Sequence, residues 1–300
     1  MLPEGFRVRD ALPSDLDLAE DIVRAEEASL RGADAEPVNL SDFWRNASFA
    51  GASWIVERQR TPVGFAVAME RGSESAYWAT VRPEITGLGV SSWLLGAAEQ
   101  HARDAGSTVL RVGCVAENAA AVPLFEQLGY REARHFFQMR IDFERAPEPA
   151  NAPLGIELTP FRREDARSFH AALNEAFAEE WGWHAAPFEE WQERRLDAPD
   201  TDLSLWFVAR EGDEVAGVVR CETRRDGGGW IGALGVLKPW RRRGVGRALL
   251  LHAFSEFHGR GAPHVGLGVD AQNPTGATRL YEGAGMRVVK EDVIYEKELT

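Results

Sequence analysis

The chain has 300 residues, 44% of them hydrophobic, and a formal net charge of −13. That length predicts two domains with ample material for packed cores. The negative balance argues against nucleic acid or an anionic membrane as partner, because both are held chiefly through positive charge. The opening MLPEGFRVRD lacks an apolar signal segment, and no apolar run approaches the ~18 residues of a membrane helix, so a cytoplasmic location is the expectation. Cys114 and Cys221 stand far apart with no CxxC or His-rich spacing, which predicts core thiols and no metal.

In chain order, SWIVERQ, VGFAVAME and SAYWATV are short, apolar and β-branched and predict three strands. SWLLGAAEQHARDAG follows as a helix, TVLRVGCVAEN as a strand, AVPLFEQLGY as a helix and RHFFQMRIDF as a strand. FERAPEPANAPLG cannot continue a helix and reads as an extended linker. Residues 161–177 then have amphipathic periodicity, and APFEEWQERRL predicts a second helix entered at Pro187. LSLWFVAR, EVAGVVRCET and WIGALGVL, separated by the turn signals EGD and DGGG, predict an antiparallel meander. A helix with a glycine-rich entry (241–261), the strand HVGLGVD, a helix over 274–286 and a last strand VVKEDVIYEKEL complete the chain.

The two halves repeat each other. Val81 and Val236, Gly89 and Gly244, and Asn118 and Asn273 are each 155 residues apart, while Phe125 and Tyr281, and Gly129 and Gly285, are 156 apart. The fold class expected is α+β, a mixed and mostly antiparallel sheet flanked by helices, made twice, with domains at 1–145 and 155–300 and a linker over 146–154.

WRRRGVGR stands out in an acidic chain. A strand running through a glycine-rich turn into a helix leaves the first helical N–H groups pointing outward at the positive end of the helix dipole, which makes an anion cradle. Gly244 and Gly246 admit an anion close to the backbone, and Arg241, Arg242, Arg243 and Arg247 supply charge-assisted hydrogen bonds that suit a pyrophosphate. The run is neither the dinucleotide G-x-G-x-x-G nor the G-x-x-x-x-G-K-[ST] phosphate loop.

Val236 eight residues before Gly244, the R-x-x-G-x-G run, and NPTGATRLYEGAGM downstream together resemble the GNAT superfamily of acetyl-CoA-dependent N-acetyltransferases, over nearly the whole chain. The resemblance implies that Arg241, Arg242, Arg243, Gly244, Val245, Gly246 and Arg247 bind the pyrophosphate of acetyl-CoA. It also implies that backbone groups of Leu234, Gly235 and Val236 pair with the pantetheine arm, and that Asn273 faces the cofactor. Tyr281 matches the tyrosine that serves as general acid. One departure is that the usual proline sits a residue late, at Pro239. Another is that residues 230–236 contain no acid where the family often has a glutamate, so Glu222 on the neighbouring strand is the base candidate, with an ordered-water relay as the alternative.

Acceptor specificity is expected from the aromatic and acidic stretch AFAEEWGWHAAPFEEW, in which Glu180 and Trp181 are the substrate-binding candidates; such faces suit a cationic or sugar-like amine. In the first copy Thr86 and Ser91 replace the expected loop residues and Phe125 replaces the tyrosine, so that half is expected not to catalyse. It either holds a coenzyme without turnover or completes the acceptor cleft. The leading expectation is therefore transfer of an acetyl group to the primary amine of a small molecule in the C-terminal half. A protein N-terminus or lysine as acceptor, and a non-catalytic acyl-CoA-binding regulatory role, stand as alternatives. An exposed sheet edge is a place where two copies could pair as a homodimer.

Overall fold

The computed structural model describes residues 1–32, 35, 40–45, 47–224 and 227–299. The chain divides into two compact units, residues 1–136 with 290–300, and residues 137–289. This partition departs from the expected 1–145 and 155–300 at its ends. The reason lies in the ladder: Asp292 to Glu298 of the last strand pair antiparallel with Val115 to Val109, so the chain's final strand completes the sheet of the first unit.

The first unit contains β1 (Phe6–Asp10), α1 (Leu16–Arg31), α2 (Ser41–Arg45), β2 (Trp54–Arg58), β3 (Thr61–Arg71), β4 (Glu74–Val81), α3 (Val90–Asp104), β5 (Val109–Val115), α4 (Ala121–Gln127) and the start of β6 (Arg131–Asp142). The second holds the rest of β6, then β7 (Glu157–Pro160), α5 (Ala166–Phe177), α6 (Phe188–Trp191), β8 (Trp206–Glu211), β9 (Glu214–Thr223), β10 (Gly229–Val236), α7 (Val245–Gly259), β11 (His264–Asp270) and α8 (Ala277–Gly283). β12 (Arg287–Glu298) starts in the second unit and returns to the first.

Strand order in the first unit is β1-β2-β3-β4-β5-β12, and in the second β6-β11-β10-β9-β8-β7. Each is an antiparallel meander followed by one parallel pair, β4 with β5 and β10 with β11, whose crossover is the long helix between them. Strand alternation sends Ile55, Phe65 and Val67 to α1 on one face, and Val56, Ala66 and Ala68 to Leu94, Leu95 and Ala98 of α3 on the other. In the second unit Phe169 of α5 stacks on Trp206 with ring centroids 5.3 Å apart. On the opposite face α7 presses so close that a Cβ at Gly229 would lie 2.6 Å from the Phe257 ring.

The helix expected over APFEEWQERRL is real only to Trp191; Gln192–Leu196 continues as a π-helical turn, an irregularity that recurs at functional sites. Residues 143–153 carry neither helix nor strand. Among the described residues no helix is long and apolar enough to cross a membrane.

Candidate active site

The parallel pairing of β10 with β11 covers only Gly229↔Val265, Trp230↔Gly266 and Ile231↔Leu267. Beyond Ile231, β10 runs on to Val236 with β9 on its other side, and the two parallel strands part like a fork. Leu234, Gly235 and Val236 form this open edge. Gly235 is required there, because a Cβ would lie 2.8 Å from that of Ala176 on α5.

The fork leads into the cradle. Gly244 has φ 87 and precedes the first turn of α7. A Cβ at Gly246 would come within 3.2 Å of Leu280. Arg242 holds a left-handed φ of 61, rare for a residue with a side chain and a conformation that recurs at ligand clamps. Its position in the repeat is filled by Gly87, with φ 81, in the first unit.

The four arginines divide in role. Arg241 turns inward, donating from Nε to the Val236 carbonyl (3.1 Å) and from Nη2 to the Ala176 carbonyl (3.2 Å), with Glu179 at 3.2 Å from Nη1. It ties the end of β10 to the end of α5 and shapes the cradle from behind. Arg243 pairs with Glu211, which also accepts from Trp240 Nε1 at 2.8 Å. Arg247 meets Glu148 at 2.5 Å in an exposed pair. Arg242 is exposed at the turn itself. Open N–H groups, left-handed turn residues and nearby guanidinium groups fit a pyrophosphate, and thereby acetyl-CoA.

Tyr281 of α8 is buried, and burial, with a smaller contribution from the Glu180 carboxylate, pushes its phenol well above the usual range. Asn273 Nδ2 donates to Glu180 Oε1 at 2.7 Å, while Asn273 Oδ1 accepts from the Thr275 amide at 2.8 Å. The structure thus gathers a cofactor-facing candidate, an acceptor candidate and the acid candidate into one cluster. Asp270 orients the turn before Asn273 by accepting from the Gln272 amide at 2.8 Å. Trp181 lies half-buried in the loop after α5, where its neighbour Trp183 stacks on Phe177 at 4.8 Å.

Glu222 lies on the sheet face that looks toward α5, opposite Trp230 in the ladder. It is not alone there, since Arg220 Nη1 stands 3.6 Å from its Oε2. The ladder slips between Ile231 and Ala233, leaving Gly232 as a bulge, and the Arg220 guanidinium fills the crease so closely that a Cβ at Gly232 would be 2.5 Å from Nη2. Arg195, from the π-helical turn, is held below the usual guanidinium range by burial first and by the Arg220 charge second, against the attraction of Glu222 and Asp200. Arg224 lies 3.5 Å over the Trp230 ring. Sequence reasoning did not single out Arg195, Arg220 or Trp230. The available signal was a charged pair inside the apolar run VVRCET.

The first unit keeps the geometry but not the residues. β4 pairs with β5 only from Glu74 to Tyr77, so the fork persists. Gly89 has φ 84, yet Thr86, Leu88, Ser91 and Ser92 stand where the second unit has arginines or Gly246. Phe125 is buried against Tyr295 at 4.9 Å. Asn118 Nδ2 still donates to Glu26 Oε1, at 3.0 Å, and burial raises the Glu26 carboxyl.

A fork of parallel strands, a glycine-entered helix and a buried tyrosine on the following helix define an acyl-transfer fold, and the signature of the acetyltransferase (GNAT) family matches residues 19–130 and 166–286. The chain belongs to that family, as two tandem domains, and is an N-acetyltransferase. It is 28% identical to the mycothiol acetyltransferase of Nocardiopsis dassonvillei, with 94% of each chain covered, and 29% identical to that of Thermobispora bispora, with 93% of this chain and 95% of the other covered. A GCN5-related N-acetyltransferase from Sphaerobacter thermophilus superposes with a TM-score of 0.84 at 29% identity, covering 100% of this chain and 97% of the other. A tandem GNAT protein from the clavulanic acid biosynthesis pathway shares the fold, with a TM-score of 0.73 at 15% identity and 98% and 99% of the two chains covered.

Proposed function

We propose that the chain transfers the acetyl group of acetyl-CoA to the primary amine of a small molecule, and that the second unit alone performs the transfer. The observation that carries this reading is the difference between the repeats: each has an Asn–Glu pair, Asn273 with Glu180 and Asn118 with Glu26, but Tyr281 lies near the Glu180 charge in one whereas the matching position in the other is Phe125. The similarity to mycothiol acetyltransferases over most of both chains supports a small-molecule acceptor.

Acetyl-CoA supplies an activated thioester carbonyl when bound. The cradle at Arg242, Gly244, Val245, Gly246 and Arg247 holds the pyrophosphate, with Arg241 bracing the loop and Arg243 at its rim. The open edge at Leu234, Gly235 and Val236 offers backbone groups to the pantetheine arm and a donor to the developing oxyanion. An alkylammonium must lose a proton before it attacks, and Glu222 or a water it orders takes that proton. The C–N bond forms as the C–S bond breaks. Tyr281, kept protonated by its surroundings, gives its proton to the departing thiolate and regains one from the proton that the new amide nitrogen sheds, so the net products are an amide, a free thiol and one released proton.

Calorimetric titration of acetyl-CoA into the intact chain tests the location. One site, weakened about tenfold by Arg242→Ala and untouched by Gly89→Glu, is the expected result; a site weakened in Gly89→Glu alone would place the coenzyme in the first unit and overturn the reading.

A further inference from the structure

The repeat supplies an internal control for the charged crease at Gly232. Gly64 pairs with Val81 in the first unit as Gly217 pairs with Val236 in the second, so Val67 occupies the position of Arg220 and Met69 that of Glu222. Val67 is 0% exposed and packs in the core beneath α1. The β3–β4 ladder passes this point without a bulge. The sheet therefore folds with an apolar residue there, and replacing a buried ion pair by packed apolar groups is often neutral or stabilising. The fold does not call for Arg220, Glu222 and the bulge that makes room for the guanidinium.

Their placement answers to the reaction instead. The crease lies one residue past the last parallel pair, Ile231↔Leu267, at the root of the fork. It is on the face toward α5, with the Trp230 ring lying over Gly266, where a Cβ would come within 2.9 Å of it. One cationic and one anionic group 3.6 Å apart present opposite charges at the spacing of a zwitterion. Arg195 adds a second guanidinium from the π-helical turn, Asp200, exposed in the loop beyond that turn, contributes a further carboxylate charge, and Arg224 lies over the Trp230 ring.

We propose that this crease is the acceptor subsite and that it selects an α-amino acid: Arg220, backed by Arg195, holds the carboxylate, and Glu222 receives the adjacent ammonium and its proton. A bidentate guanidinium to carboxylate contact gives both energy and orientation, and it turns the amine toward the open edge of β10. The inference rests on the acetyltransferase reading and narrows its substrate to amines that carry a neighbouring carboxylate.

Coenzyme A release by the full chain is measured with matched acceptors: free L-amino acids, their amides, and the amines left by removal of the carboxylate. The expected result is kcat/KM at least ~30-fold higher for the acids, as fits loss of charge-assisted hydrogen bonds. Arg220→Met is expected to erase the preference with acetyl-CoA affinity unchanged, and Arg195→Gln, more exposed and safer for folding, to reduce it. Amides or decarboxylated amines used as well as the acids, or a preference that survives in both variants, would overturn the subsite. Absence of turnover with every amine, together with absence of acetyl-CoA binding, would instead overturn the acetyltransferase reading beneath it.

Discussion

Asn273 Nδ2 donates to Glu180 Oε1 at 2.7 Å, and the same bond recurs between Asn118 and Glu26 at 3.0 Å in the unit where Phe125 stands at the position of Tyr281. A contact present in both units, with and without the tyrosine, is a clasp, which in the second unit holds the segment after α5 to the turn that launches α8. Glu180→Gln keeps an acceptor oxygen, so it should leave acetyl-CoA affinity and the fold nearly unchanged. Glu180→Ala removes the bond at a cost of about 1–3 kcal/mol, read as a lower Tm.

The same pair of variants has a pH signature. The Glu180 charge helps raise Tyr281, so its removal in Glu180→Gln lowers the phenol. A general acid must be protonated, and the alkaline limb of kcat reports its loss. That limb should move to lower pH in Glu180→Gln; an unmoved limb would separate Glu180 from the tyrosine.

Arg242 combines a strained backbone with an exposed guanidinium. Arg242→Gly relieves a left-handed conformation that costs about 1–2 kcal/mol, offset in part by the greater freedom of glycine in the unfolded chain. Removing the guanidinium also weakens phosphate binding by about tenfold. Thermal unfolding and calorimetry should show the two effects together: a Tm equal to or above the parent's and a weaker acetyl-CoA Kd.

Lys290 and Glu27 form a buried pair at 2.6 Å in the first unit, with both side chains 3% exposed and Asp292 at 3.3 Å from the ammonium. Lys290→Met strands a buried carboxylate and should cost roughly 3–5 kcal/mol, whereas Lys290→Met with Glu27→Leu should recover most of that loss. Denaturant midpoints for the two proteins test this, and the first unit is the part expected to unfold.

The meander, the glycine entry and the repeat were legible because each has a local signature: alternating apolar residues, φ-positive glycines and a constant spacing. β1 and β7 escaped notice because FRVRD and ELTP are short edge segments in which few residues are buried. The return of β12 was invisible for another reason. VVKEDVIYEKEL reads as a strand wherever it pairs, and only the register to Val109–Val115 assigns it to the first unit. Arginine count marked the cradle but not the division of labour within it, since Arg241 bonds carbonyls more than 60 positions away in the case of Ala176. Arg220 has no local signature in the sequence; only the bulge at Gly232 shows the crease that its guanidinium fills.

Release of coenzyme A in the presence of acetyl-CoA and primary amines, compared between the parent chain and Tyr281→Phe, tests the central claim most directly. Turnover by the parent and a fall in kcat on the order of 100-fold in Tyr281→Phe, at the low end of what general acid catalysis supplies, are the expected results, with the KM for acetyl-CoA unchanged. Equal kcat in the two proteins would contradict the assignment of the chemistry to the second unit through Tyr281.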